Sequence, residues 1–80
     1  MLINELKNFL NPSLFQINIC SKNIYINNYT EIISLGLNKI VIKVSEGKII
    51  LNGTSFSLTK LASKELLITG KLESLEIKYE

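Results

Sequence analysis

Residues 38–79 read NKIVIKVSEGKIILNGTSFSLTKLASKELLITGKLESLEIKY, a run of short apolar segments separated by glycines at positions 47, 53 and 70. Isoleucine, leucine and valine recur at alternate positions in several of these segments, as at Ile40, Ile42 and Val44. An alternation of this kind is the period of a β-strand with one buried face. Asn52-Gly53 is a strong signal for a two-residue hairpin turn. The stretch therefore predicts antiparallel strands joined by tight turns.

The same pattern of apolar segments and turn residues extends upstream to residue 15. It predicts eight strands, at residues 15–20, 24–27, 29–35, 39–45, 48–52, 55–61, 65–69 and 72–79. Asn27-Asn28 is predicted to turn tightly, because asparagine tolerates the left-handed conformation. The adjacent Ile32 and Ile33 point to opposite faces, so their strand is predicted to be buried on both sides or to contain a bulge.

The predicted fold class is all-β, a single domain over residues 13–80 built as a small antiparallel meander of seven or eight short strands. Such a meander forms a curled sheet or a sandwich. A short β-solenoid is the alternative, in which rungs stack and the ends stay open. The hairpin signals at Glu46-Gly47 and Asn52-Gly53 favour the antiparallel meander.

Residues 1–12 are predicted to form an N-terminal helix and its connection to the β domain. The apolar residues Leu2, Ile3, Leu6, Phe9 and Leu10 are spaced for one face of a helix. Asn11-Pro12 ends the pattern, since a residue before proline disfavours the α region. So short a helix needs a surface to dock on, either its own sheet or a partner, with a membrane surface as a further alternative.

The composition describes a small, ordered domain without a strongly charged surface. Of the 80 residues 46% are hydrophobic and 20% charged, so the chain is not disordered by composition. Nine lysines and seven glutamates alternate along the chain, and arginine is absent. We therefore predict no nucleic-acid binding, which depends on a basic stripe. No apolar run is long enough to span a membrane, and residues 1–10 do not resemble a secretory signal.

No pattern of residues indicates catalysis, a cofactor or a metal. Histidine and aspartate are absent, so the commonest acid–base group and metal ligand are missing. The glycines form neither a GxxxxGK[ST] nor a GxGxxG motif. Cys20 has no histidine to activate it and is predicted to be a small apolar residue in or near the core. The chain is thus predicted to be non-enzymatic, without cofactors.

An interaction surface is the functional prediction that the residues do support. The edge strands of an open sheet carry unpaired backbone groups that can pair with another chain. Residues 72–80 contain Glu73, Glu76, Lys78 and Glu80, which discourage such pairing. The first two predicted strands are rich in asparagine and carry few charges, so we predict that this edge can accept a strand from a partner. The predicted partners are another protein or a second copy of the chain.

The order of these elements resembles the YabP/YqfC family of sporulation proteins of spore-forming Firmicutes. Residues 24–29 (IYINNY) resemble its I-x-I-x-N segment, and residues 47–53 (GKIILNG) its G-x-I-x-I-x-G core. Residues 65–72 (ELLITGKL) are similar to its closing E-x-x-I-x-G-x-I pattern, and residues 75–79 (LEIKY) to its last strand. The Asn11-Pro12 step is similar to a Leu-Pro step in the YqfC branch, although the family tends to have a proline directly before its first strand.

The resemblance implies a non-enzymatic protein, made in the mother cell, that contributes to assembly of the endospore envelope, the coat or cortex, through protein–protein interaction. It implies a location in the mother-cell cytoplasm or at the periphery of the outer forespore membrane, with a membrane protein similar to YqfD as a partner. It carries over no catalytic residue. The alternative is a generic β-rich interaction module, or a small subunit of a membrane-associated complex unrelated to sporulation.

Overall fold

The computed structural model describes residues 15–80, and the helix predicted within residues 1–12 lies outside them. The described chain is all-β and contains six strands. They are β1 (Gln16–Cys20), β2 (Asn23–Asn27), β3 (Tyr29–Leu35), β4 (Lys39–Val44), β5 (Gly47–Leu61) and β6 (Glu65–Tyr79). The all-β class is confirmed, while the predicted number of strands is not.

The strands form one sheet in the order β1-β2-β6-β5-β4-β3, and every neighbouring pair is antiparallel. This arrangement confirms the antiparallel prediction over the β-solenoid, whose rungs stack in parallel. The sheet curls but does not close, because β1 and β3 each pair with one neighbour only. Within residues 15–80, the two ends of the sheet are therefore edge strands.

The long hairpin of β5 and β6 replaces four of the predicted strands. Asn52-Gly53 and Gly70-Lys71 were predicted to be turns, and both predictions are wrong, since β5 and β6 continue through them. The pairing of β5 with β6 shifts register between Asn52 and Gly53 and again between Thr54 and Ser57. Such irregularities bend a strand without ending it. The glycines thus lie at a bend in the hairpin.

The bend lets the two halves of the hairpin pair with different strands. Residues 47–52 of β5 pair with β4, whereas residues 65–69 of β6 pair with β2. The inward side chains of both halves form one core, together with those of β2 and β4. Its buried members are Ile24, Ile26, Ile40, Ile42, Val44, Ile49, Leu51, Phe56, Leu66 and Ile68. No polar or charged residue is buried among residues 15–80.

The connection between β2 and β3 is a single residue, Asn28, with φ of 64°. Its left-handed conformation is as predicted, but it joins strands that are not neighbours in the sheet. The Asn28 amide donates to the Lys64 carbonyl at 2.7 Å, and the Tyr29 hydroxyl donates to the Ala62 carbonyl at 3.1 Å. Both hydrogen bonds hold the β2–β3 connection against the turn between β5 and β6. The bulge predicted near Ile32 is confirmed by a register shift between Ile32 and Ser34.

Candidate interaction surfaces

Strand β1 is an edge of the sheet with no charged side chain. Its sequence is QINIC, and its single neighbour is β2, in the register that pairs Asn18 with Tyr25. The inward side of β1 is apolar, because Ile17 lies opposite Ile26 and Ile19 opposite Ile24. Ile19 is nevertheless 52% exposed, whereas Ile24 is buried. The apolar face of the sheet therefore extends to the edge strand, where no described residue buries Ile19.

The other free edges carry features that hinder pairing. Strand β3 contains Glu31, and its pairing with β4 shifts register at two places. Beyond residue 69, β6 pairs with β5 on one side only, and it carries Glu73, Glu76 and Lys78 there. Charges and bulges are the features by which natural sheets protect an edge. Beyond residue 52, β5 also pairs with β6 only, but this pairing shifts register between Thr54 and Ser57 and between Leu58 and Lys60. Among the described strands, β1 is thus the edge that has neither charges nor register shifts, and it is the edge open to strand addition.

The structure corrects two predictions for this region. The second predicted strand was expected to share the free edge, but β2 pairs with β1 on one side and with β6 on the other. The backbone at Tyr25 therefore has no free edge. Cys20 was predicted to lie in or near the core, but its side chain is exposed at the end of β1. It lies on the side of β1 opposite to Ile17 and Ile19, since side chains alternate along a strand.

The outer side of β2 and β6 carries a small polar network. The Tyr25 hydroxyl donates to the Glu65 carboxylate, and Lys60 Nζ lies 3.4 Å from Glu65 Oε1. The Tyr25 hydroxyl contributes most and the Lys60 ammonium next to stabilising the ionised carboxylate, so the pKa of Glu65 is lowered from its usual value. The pKa of Tyr25 is raised, because its neutral hydroxyl donates to Glu65. The network links β2, β6 and β5 at the surface.

We expect Tyr25→Phe to raise the pKa of Glu65, since the substitution removes the largest cause of its depression. The test is an NMR titration of the Glu65 carboxyl carbon in both proteins. A depressed carboxyl pKa stabilises the folded state above the pKa of the unfolded chain, and this contribution is lost as pH falls through the folded value. The stability difference between the two proteins should therefore shrink below about pH 4. Glu73, whose carboxylate forms no described ion pair, is the internal control.

The strand register also brings three lysines together. Lys43 lies opposite Lys48, and Lys48 lies opposite Lys78, which makes a row across β4, β5 and β6. The three lysines are far apart in the sequence, and the row forms because strand pairing makes their segments neighbours. Glu31 lies opposite Lys43, and Glu76 lies opposite Ile50 in the next row. The row is therefore bordered by carboxylates and does not form a broad basic surface.

Among residues 15–80, no group of three or more cysteine, aspartate, glutamate or histidine side chains is placed to hold a metal ion. No helix within this part of the chain is both long and apolar enough to cross a membrane.

A comparison with protein-family models matches residues 17–80 to the YabP family. No curated protein and no solved structure matches the chain significantly. The family match covers most of the chain and includes all six strands apart from the first residue of β1. The matched range includes residues 24–29, 47–53, 65–72 and 75–79, the segments that carry the resemblance. The chain therefore belongs to the YabP family, a family of sporulation proteins.

Proposed function

We propose that this chain is a non-enzymatic protein of endospore formation, made in the mother cell, that contributes to envelope assembly by binding another protein. Membership of the YabP family supports the link with sporulation. The observation that carries the interaction is the uncharged edge of β1, with Ile19 exposed on its apolar side. In this proposal the chain acts in the mother-cell cytoplasm or at the periphery of the outer forespore membrane, where a membrane protein similar to YqfD is a fitting partner.

The proposed mode of binding is the addition of a strand to β1. An incoming strand would pair with the backbone groups of residues 16–20, and alternate side chains of the partner would cover Ile17 and Ile19. Main-chain hydrogen bonds supply affinity in this mode, and the alternate side chains supply specificity. The five residues of β1 are a usual length for such pairing.

We expect Asn18→Lys to impair function in sporulating cells without unfolding the protein. Asn18 is exposed in the middle of β1, so a lysine there leaves the fold intact, with a stability change within about 0.5 kcal/mol. The charge would lie beside the incoming strand, which is how natural edges prevent pairing. The measurement is complementation of a deletion strain, scored as spores that resist heat and lysozyme, with an expected loss of about tenfold or more.

The matched control is Ser34→Lys, which places the same charge at an exposed position of the opposite edge strand, β3. Its spores should be as resistant as those of the natural protein. Full complementation by Asn18→Lys, at equal protein level, would contradict binding at the β1 edge. A defect of the deletion strain in vegetative growth, with normal spores, would instead favour the alternative of an interaction module unrelated to sporulation.

A further inference from the structure

The turn between β1 and β2 meets the bend of the β5–β6 hairpin at an open depression. It has a volume of about 600 Å³ and is lined by Ser21, Lys22, Thr54, Ser55, Gly70 and Lys71. The backbone of the β1–β2 turn lies close to that of β6, because the Gly70 amide donates to the Lys22 carbonyl at 2.9 Å. Thr54 lies opposite Lys71 in the pairing of β5 with β6. The lining residues are therefore positioned by the sheet, although they come from distant parts of the sequence.

The lining offers hydrogen-bond donors and positive charge without a carboxylate. Three residues with hydroxyl groups and two lysines are among the residues that line the depression. Within residues 15–80, neither Lys22 nor Lys71 forms an ion pair. The lysine row of Lys43, Lys48 and Lys78 differs in this respect, because carboxylates border it. An anion at the depression would thus meet two positive charges with no carboxylate lining to oppose it.

The backbone is strained at two of the lining residues. Ser21 has φ of 49° and Ser55 has φ of 56°, and only one further non-glycine residue of the described chain, Asn28, has a positive φ. Such a conformation is uncommon for serine and costs free energy, and it clusters at ligand sites. Gly70 lets β6 approach β5 closely at Ser55, since a Cβ atom at residue 70 would lie 2.8 Å from the Ser55 carbonyl oxygen.

We propose that this depression binds a phosphate monoester, either as a free small molecule or as a lipid headgroup. Two ammonium groups match the charge of a monoester, which is close to −2 at neutral pH. Its three terminal oxygens can accept hydrogen bonds from the hydroxyls and ammonium groups together. No aromatic side chain lines the depression, so the recognised group is the phosphate and not a nucleotide base.

The test is a titration of the ¹⁵N-labelled full-length chain with glycerol phosphate, followed by the amide resonances. Saturable shifts centred on Ser21, Ser55 and Gly70 are expected. Lys22→Gln and Lys71→Gln should each weaken binding about tenfold, because each removes a charged donor. Lys64→Gln is the matched control, an exposed lysine outside the depression that should leave the affinity unchanged. All three substitutions are at the surface and should leave the fold intact.

A second arm separates the two sources of the phosphate group. Vesicles of neutral lipid with and without phosphatidic acid are sedimented with the protein. Binding of glycerol phosphate without sedimentation would identify a free monoester, and sedimentation that depends on phosphatidic acid and on Lys22 and Lys71 would identify a headgroup. The proposal is overturned if glycerol phosphate shifts grow without saturation, or if the double variant Lys22→Gln, Lys71→Gln binds both probes as the natural protein does.

Discussion

Phe56→Ala should lower the free energy of unfolding by about 3–5 kcal/mol, the usual cost of removing a large buried aromatic side chain. Phe56 is 3% exposed and belongs to the core cluster of residues 15–80. It lies at the bend of the β5–β6 hairpin, where its ring approaches both Gly53 and Gly70. The loss is a large part of the stability of a domain of this size, so the variant should unfold at a much lower urea concentration.

The control for this substitution is Leu61→Ala, near the end of the same strand. Leu61 is 57% exposed, so its truncation removes little buried surface and should cost less than about 1 kcal/mol. Urea unfolding followed by circular dichroism measures both variants under the same conditions. If the two variants unfold at the same urea concentration, Phe56 does not hold the bend together in the way that its burial indicates.

The fold class and most of the core could be predicted from the sequence, because alternation along a strand is a local property. Ile40, Ile42 and Val44 alternate in the sequence and are buried on one face. The same local logic placed the end of β3 near Gly36 and the left-handed residue at Asn28. Each of these features depends only on the nearest residues.

Features that depend on which strands become neighbours could not be predicted in this way. Asn52-Gly53 is a hairpin signal when the flanking strands pair with each other, but here β5 continues and pairs with β4 and β6. The lysine row and the depression beside the bend each combine residues from three separate segments. The open edge at β1 could be predicted, because its lack of charge is visible in the sequence. The sequence could not show that β2 pairs with β1 on one side and with β6 on the other.

We expect Gly53→Ala to cost about 3 kcal/mol or more, a severe effect for the addition of one methyl group. A Cβ atom at Gly53 would overlap the carbonyl group of Lys71 on β6 and would lie 2.6 Å from Phe56 Cζ. The carbonyl belongs to the backbone of a paired strand, so it cannot move without breaking the pairing of the hairpin. Gly53 is therefore needed for the close approach of two strands at the bend. The measurement is the urea midpoint of the purified variant.

Two further substitutions distinguish this explanation from the conformational demands of a tight turn. In a turn with positive φ, asparagine would replace glycine with less strain than alanine. At a crowded position in a strand, Gly53→Asn should be more destabilising than Gly53→Ala, because the larger side chain meets the same carbonyl. Gly36→Ala is the control, since Gly36 is exposed and a Cβ atom there would meet one group only, the Lys39 carbonyl oxygen at 3.1 Å, so it should cost less than Gly53→Ala. A Gly53→Asn variant that is more stable than Gly53→Ala would show that residue 53 lies in a turn, and β5 would then end there.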